Sequence, residues 1–160
     1  AGHKSASGLV LAVWGVGSFA AALVYGSRTW GWPLWKQLLA GMVALAMGTS
    51  SFSLAPNLVV LSVLALMTGL AIAPTLTSGN NIVQVTVAPS QLTEGLAWVS
   101  TALNVGVSVG SLLAGQAVDA DGARAGYLTV AAFAWTTVLA GIVSLPALRR
   151  ARTSHPLGDR

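Results

Sequence analysis

QLLAGMVALAMGTSSFSLAPNLVVLSVLALMTGLAIAPTLTSGNNIVQVTVAPSQLT, residues 37–93, contains no Asp, Glu, Lys or Arg. A helix crossing the hydrocarbon core of a bilayer takes about 20 mostly apolar residues. The stretch is therefore long enough for two such helices. Ala55-Pro56-Asn57 near its middle supplies the turn, because proline disfavours helix in the residue before it. The sequence thus predicts one span at 38–54 and another at 58–88, the latter stopped by Pro89. At 1.5 Å per residue the longer span would reach about 46 Å, more than the hydrocarbon core. Pro74 inside it predicts a kink, tolerable where neighbouring helices re-satisfy the freed carbonyl.

Working outward, residues 5–27, 95–118 and 125–148 are also free of charged side chains. They predict further spans at 7–25, 92–118 and 125–145. The whole chain of 160 residues is only 8% charged and 54% hydrophobic, with a mean hydropathy of +0.74. Soluble domains carry about 25% charged residues, so the surface that keeps a globule in water is missing. The expected fold is an all-α membrane protein, a polytopic bundle of five transmembrane helices forming one membrane domain over 1–160. A secretory signal peptide competes for the first span, since His3-Lys4 precede an apolar run and Ala20-Ala21-Ala22 resembles a cleavage site. That run exceeds the usual 7–15-residue apolar core, and four spans remain under either reading.

Basic residues set the orientation. With five spans, Arg28, Lys36, Arg149, Arg150, Arg152 and Arg160 share one side, and Lys4 and Arg124 share the other. The richer side is cytoplasmic. The carboxyl-terminal tail, 146–160, and the loop 26–37 with Trp30, Trp32 and Trp35 are placed there, in a multi-pass protein of the plasma membrane. The amino terminus and a loop Asp119-Ala120-Asp121-Gly122 fall outside. The net charge of +4 is ordinary for such a protein. No basic patch carries interleaved stacking aromatics, which argues against nucleic acid as a partner; the expected partner is the lipid bilayer.

Catalysis has almost no candidates, and the chain reads as not an enzyme. The absence of cysteine removes disulfides, thiolate metal sites and cysteine nucleophiles. His3 and His155 stand near the termini without paired carboxylates or metal-ligand spacing. No Ser or Thr has a His-plus-acid partner within a span. No catalytic residue, metal site or cofactor is expected. No ionisable group lies deep in a span, so no proton relay is visible. Glu94, opening the fourth span, suits the positive end of the helix dipole.

Three patterns stand out inside the spans. Gly15-Val-Gly17-Ser-Phe-Ala20 matches the dinucleotide fingerprint by letter. That motif needs a preceding strand and an acid about 20 residues on, whereas the first acid here is Glu94. Close packing of small residues is the simpler reading. Ala102, Gly106, Gly110 and Ala114 recur at intervals of four, a pattern that lets helix backbones approach in lipid; static packing and a sliding interface both use it. Polar stripes mark the third span (Thr77, Asn80, Asn81, Gln84) and the fourth (Thr101, Asn104, Ser108, Ser111). Amides in hydrocarbon need partners or water. They either bond between helices or line a polar cavity for a solute, with Asn104 near the midplane.

The run from Pro89 through Glu94, Trp98, Asn104, Gly106, Gly110 and Gly115 to Asp119, followed by Gly122 and an apolar span, resembles the major facilitator superfamily. It is similar to the eleventh and twelfth helices of bacterial, drug-efflux-like members. Gly69 with Pro74 is similar to the tenth helix. Gly17-Ser18-Phe19, Tyr25-Gly26-Ser27-Arg28 and the loop to Lys36 resemble the eighth helix and the loop before the ninth, although the usual acid and most of its arginines are missing. The resemblance covers about 8–148. It implies a partial carboxyl-terminal half, helices eight to twelve, of a transporter built from two six-helix halves around a central site. It implies efflux of small-molecule solutes by alternating access, with the missing amino-terminal half or a second chain as partner. Trp14, Thr77, Asn81, Gln84, Trp98, Asn104 and Ser108 are then the candidates for the cavity wall. The alternative is a small stand-alone multi-pass protein that binds or regulates a partner without transport.

Overall fold

The structure, a computed structural model, describes residues 2–27 and 31–150. Arg28, Trp30 and the tail residues 151–160, with Arg152, His155 and Arg160, lie outside the described residues. So do the side chains of His3, Lys4, Arg149 and Arg150. Among the described residues five helices form: α1 (Gly2–Gly26), α2 (Leu34–Phe52), α3 (Leu58–Thr86), α4 (Leu92–Asp121) and α5 (Ala123–Arg150). A 3-10 turn, Pro89–Gln91, joins α3 to α4. No strand occurs among the described residues.

The helix ends follow local chemistry. α2 stops ahead of Pro56, and Asn57 caps α3 by accepting a hydrogen bond from the Val60 N–H at 2.9 Å. The cap satisfies one donor that the first helical turn leaves unpaired. α3 continues through Pro74. The loop expected at Asp119–Gly122 is not formed. α4 runs on through Asp119 and Asp121, because nothing before Gly122 breaks it, and Gly122 alone makes the turn at φ +80°. That backbone angle is costly for any residue with a Cβ. α5 likewise continues through Pro146 to Arg150, so residues 146–150 of the expected tail are helical.

The helices pack in the order α1, α3, α2, α5, α4, and α4 touches back onto α3 at one end. Neighbouring contacts fix their directions. Gly41 and Gly48 of α2 lie on Thr75 and Thr68 of α3, so these two are antiparallel. Gly17 of α1 meets Leu66, and Tyr25 reaches Ser78 at 2.9 Å, so α1 and α3 run parallel. On α5, Trp135 Nε1 donates to Ser50 Oγ at 3.1 Å, and Tyr127 packs edge-on to Phe52 at 5.9 Å between centroids. The chain therefore passes up and down five times.

Small residues fill the interior. Ala21, Ala46, Ala65, Ala131, Val138, Thr68 and Ser78 are buried, whereas Leu11, Phe19, Val107, Leu112, Leu139 and Val143 point outward. A soluble domain buries its large apolar side chains; a bundle in lipid packs small ones inside and leaves large ones to the acyl chains. Three helical segments, Leu58–Thr86, Pro89–Asp121 and Ala123–Pro146, are long and apolar enough to cross a membrane. α1 contributes a shorter apolar stretch, Leu11–Gly26. α2 has 19 residues, with Lys36 and Gln37 at one end and Thr49-Ser50-Ser51 at the other. An all-helical bundle with three membrane-length helices is the architecture of a multi-pass membrane protein.

Candidate functional site

α4 carries the site, because its two sides differ. It is held at both ends. A Cβ on Gly95 would lie 3.1 Å from Val83 Cγ1 of α3, and one on Gly126 of α5 would lie 3.3 Å from the Ala114 carbonyl oxygen and against Val118. Between these contacts, Val99 and Leu103 face a cavity of about 310 Å³ enclosed by α2, α3, α4 and α5. At 100° per residue, Thr101 and Ser108 fall on the opposite side of the helix and Asn104 and Ser111 on the flank. All four are exposed.

Within that outer face, Asn104 Nδ2 donates to the Ser100 carbonyl at 2.9 Å, and Ser108 Oγ donates to the Asn104 carbonyl at 2.9 Å. One N–H of Asn104 and the Ser108 hydroxyl are thus bonded to α4's own backbone, one turn back, and the second Asn104 N–H stays available. The arrangement presents side-chain oxygens outward along the helix. Trp98, 68% exposed, extends this face toward the start of α4. Ala102 and Gly106 are exposed and Gly110 and Ala114 half-buried. A Cβ on Gly106 or Gly110 would meet nothing within 4 Å, so no described helix is seated there. Ala114 alone of this set borders α5.

On α3, Thr77, Asn80 and Gln84 are exposed and Asn81 is half-buried. Asn80 lines the four-helix cavity together with Thr75 and Thr137. Trp14 of α1 is 39% exposed, and its carbonyl oxygen, not its ring, borders Gly69. None of Trp14, Thr77, Asn81, Gln84, Trp98, Asn104 and Ser108 lines that cavity or the second one described next. They stand on three different helices, six of them exposed and Asn81 half-buried.

A polar cluster escapes the reading of periodicity. Ser78, fully buried, meets the Tyr25 hydroxyl, which donates to Gln37 Oε1, and Gln37 Nε2 donates to the Trp32 carbonyl at 2.6 Å. The cluster ties α1, α2 and α3 at one end of the bundle. Beside it lies a second cavity of about 440 Å³ between those helices. Gln37 is the only sequence hint, an amide opening an otherwise apolar run. Among the described residues, no group of three or more His, Cys, Asp or Glu gathers to hold a metal.

No family profile and no solved structure matches the chain. The MFS-type transporter ppzB of Metarhizium rileyi is 33% identical to it over 113 residues. The aligned part is 68% of this chain and 23% of that protein's length. The similarity is to a transporter of the major facilitator type; it does not point to the bacterial drug-efflux-like members.

Proposed function

We propose that the chain is the carboxyl-terminal portion of a major-facilitator solute transporter that exports small molecules by alternating access. On this reading all five helices span the plasma membrane, with the carboxyl terminus in the cytoplasm. The observation that carries the proposal is the outer face of α4. Thr101, Asn104, Ser108 and Ser111 form an exposed polar stripe along it. Leaving an amide group in hydrocarbon without a partner costs several kcal/mol; Asn104 bonds one N–H to its own helix, and water, solute or a second bundle would meet its second N–H and its oxygen. The similarity to an MFS-type transporter supports a second bundle, because members of that superfamily enclose their site between two six-helix halves.

Mechanistically, the stripe supplies uncharged hydrogen-bonding groups at the level of the membrane midplane. Asn104 would contact solute through its side-chain oxygen and second N–H, and Ser108 through its oxygen, while one Asn104 N–H and the Ser108 hydroxyl stay bonded to α4. Thr77, Asn81, Gln84, Trp98 and Trp14 would complete the wall. The partner bundle is a preceding segment or a second chain.

Flux through liposomes tests this. The 160-residue chain alone is expected to move cationic dyes, drugs or sugars no faster than empty-vesicle leak, with or without a pH gradient. Joined to a six-helix amino-terminal bundle it should transport, and Asn104→Ala should lower that flux about tenfold, the worth of one strong hydrogen bond to solute. Saturable transport by the chain alone, abolished by Asn104→Ala, would instead mean that copies of this chain rebuild both walls.

A further inference from the structure

The second cavity has the form of a groove. α1 and α2 both pack on α3, and between them Ala21, Val24, Ala40, Gly41 and Ala44 form small-residue walls over a floor that includes Pro74. From Gln37 to Ala44 the groove follows α2 for about 10 Å. At its polar end Ser78, Tyr25, Gln37 and the Trp32 carbonyl bond to one another. Beyond them the lining side chains are apolar, those of Ala, Val, Leu and Pro, a surface that suits a hydrocarbon chain. The hydrogen bond to the Trp32 carbonyl also anchors the loop residue whose side chain borders the mouth. Next to Gln37, in the first turn of α2, Lys36 is exposed, with Nζ 5.4 Å from the Trp35 ring centroid. Tryptophan and lysine together are the composition of the headgroup level, and basic side chains there attract anionic lipid.

We propose that this groove binds one acyl chain of an anionic phospholipid, whose phosphate is met by Lys36. The lipid would seat α1 against α2 across the gap that their separate packing on α3 leaves open. The inference rests on the membrane reading of the chain and is independent of transport.

Native mass spectrometry of the detergent-solubilised chain tests it, with palmitoyl-oleoyl phosphatidylglycerol and phosphatidylcholine added in equal amounts. The wild type should retain one lipid and favour phosphatidylglycerol. Lys36→Gln should reduce that preference about fivefold, the worth of one lysine at an anionic surface. Ala40→Trp and Ala44→Trp, on exposed walls of the groove, should lose both lipids, while Val107→Trp on the outer face of α4 should not. Equal retention of the two lipids, or retention unchanged by Lys36→Gln, overturns the proposal even if a tryptophan variant fails to fold. Alkaline carbonate distinguishes the two levels. Release of the chain from membranes would defeat the membrane reading itself, whereas a carbonate-resistant chain without lipid preference defeats only the site.

Discussion

Gly41 and Gly48 show what a single atom decides in this bundle. Each lies under a threonine of α3, Thr75 and Thr68. Those hydroxyls donate to the Ala71 and Leu64 carbonyls of their own helix at 2.6 and 2.8 Å, so the side chains cannot swing away without losing a bond. A Cβ on Gly41 would sit 3.1 Å from Thr75 Cβ and 3.3 Å from its Cα. Gly41→Leu should therefore destabilise the chain by about 1–3 kcal/mol, the usual cost of overpacking. Gly110→Leu, with open space around it, should change stability by less than about 0.5 kcal/mol. Thermal unfolding in detergent compares the two. Equal losses would mean that the Gly110 face is already covered by a second copy. Tyr25→Phe removes the hydroxyl that joins Ser78 to Gln37 and leaves a buried serine unpartnered. It should cost about 1–3 kcal/mol, read in the same melts.

At the scale of helices, the turn between α2 and α3 depends on Asn57. Asn57→Ala should lower stability by about 1 kcal/mol through the lost cap, and should speed hydrogen exchange at Val60 before any other α3 amide. An unchanged Val60 rate would place the start of α3 elsewhere. These boundaries were legible in the sequence, because Pro56, Asn57 and Pro89 act on their own neighbours. The end of α4 was not. Asp119 and Asp121 suggest a loop by charge, yet charge at a membrane surface does not stop a helix; the backbone angle at Gly122 does. The stripe of polar residues on α4 was legible too, since periodicity is a property of one helix. Which side of α4 meets the bundle was hidden, because it depends on Val83, Val87 and Gly126, residues of other helices. For the same reason the spacing of Gly106 and Gly110 suggests close packing, whereas Gly41 and Gly48, which carry no such pattern, supply it here.

For the described residues as a whole, five alternating helices put Gly2 and Arg150 on opposite sides of the bundle. The native chain lacks cysteine, so single substitutions report cleanly. Cysteines at Ser27 and Ser154 should react with an impermeant thiol reagent only from the cytoplasm, and one at Asp121 only from outside. Labelling of Ser27 and Asp121 from the same side would break the five-span topology. The central claim is narrower: the outer face of α4 borders water and solute in a transporter whose second bundle covers it. Reactivity of cysteines along α4 in reconstituted transporter, with this chain joined to an amino-terminal bundle, measures that directly. Asn104→Cys and Ser108→Cys should react with a hydrophilic thiol reagent and be protected by transported solute, while Val99→Cys, half-buried on the cavity between α2, α3 and α5, stays silent. Reaction at Val99 with silence at Asn104 and Ser108 would contradict the account.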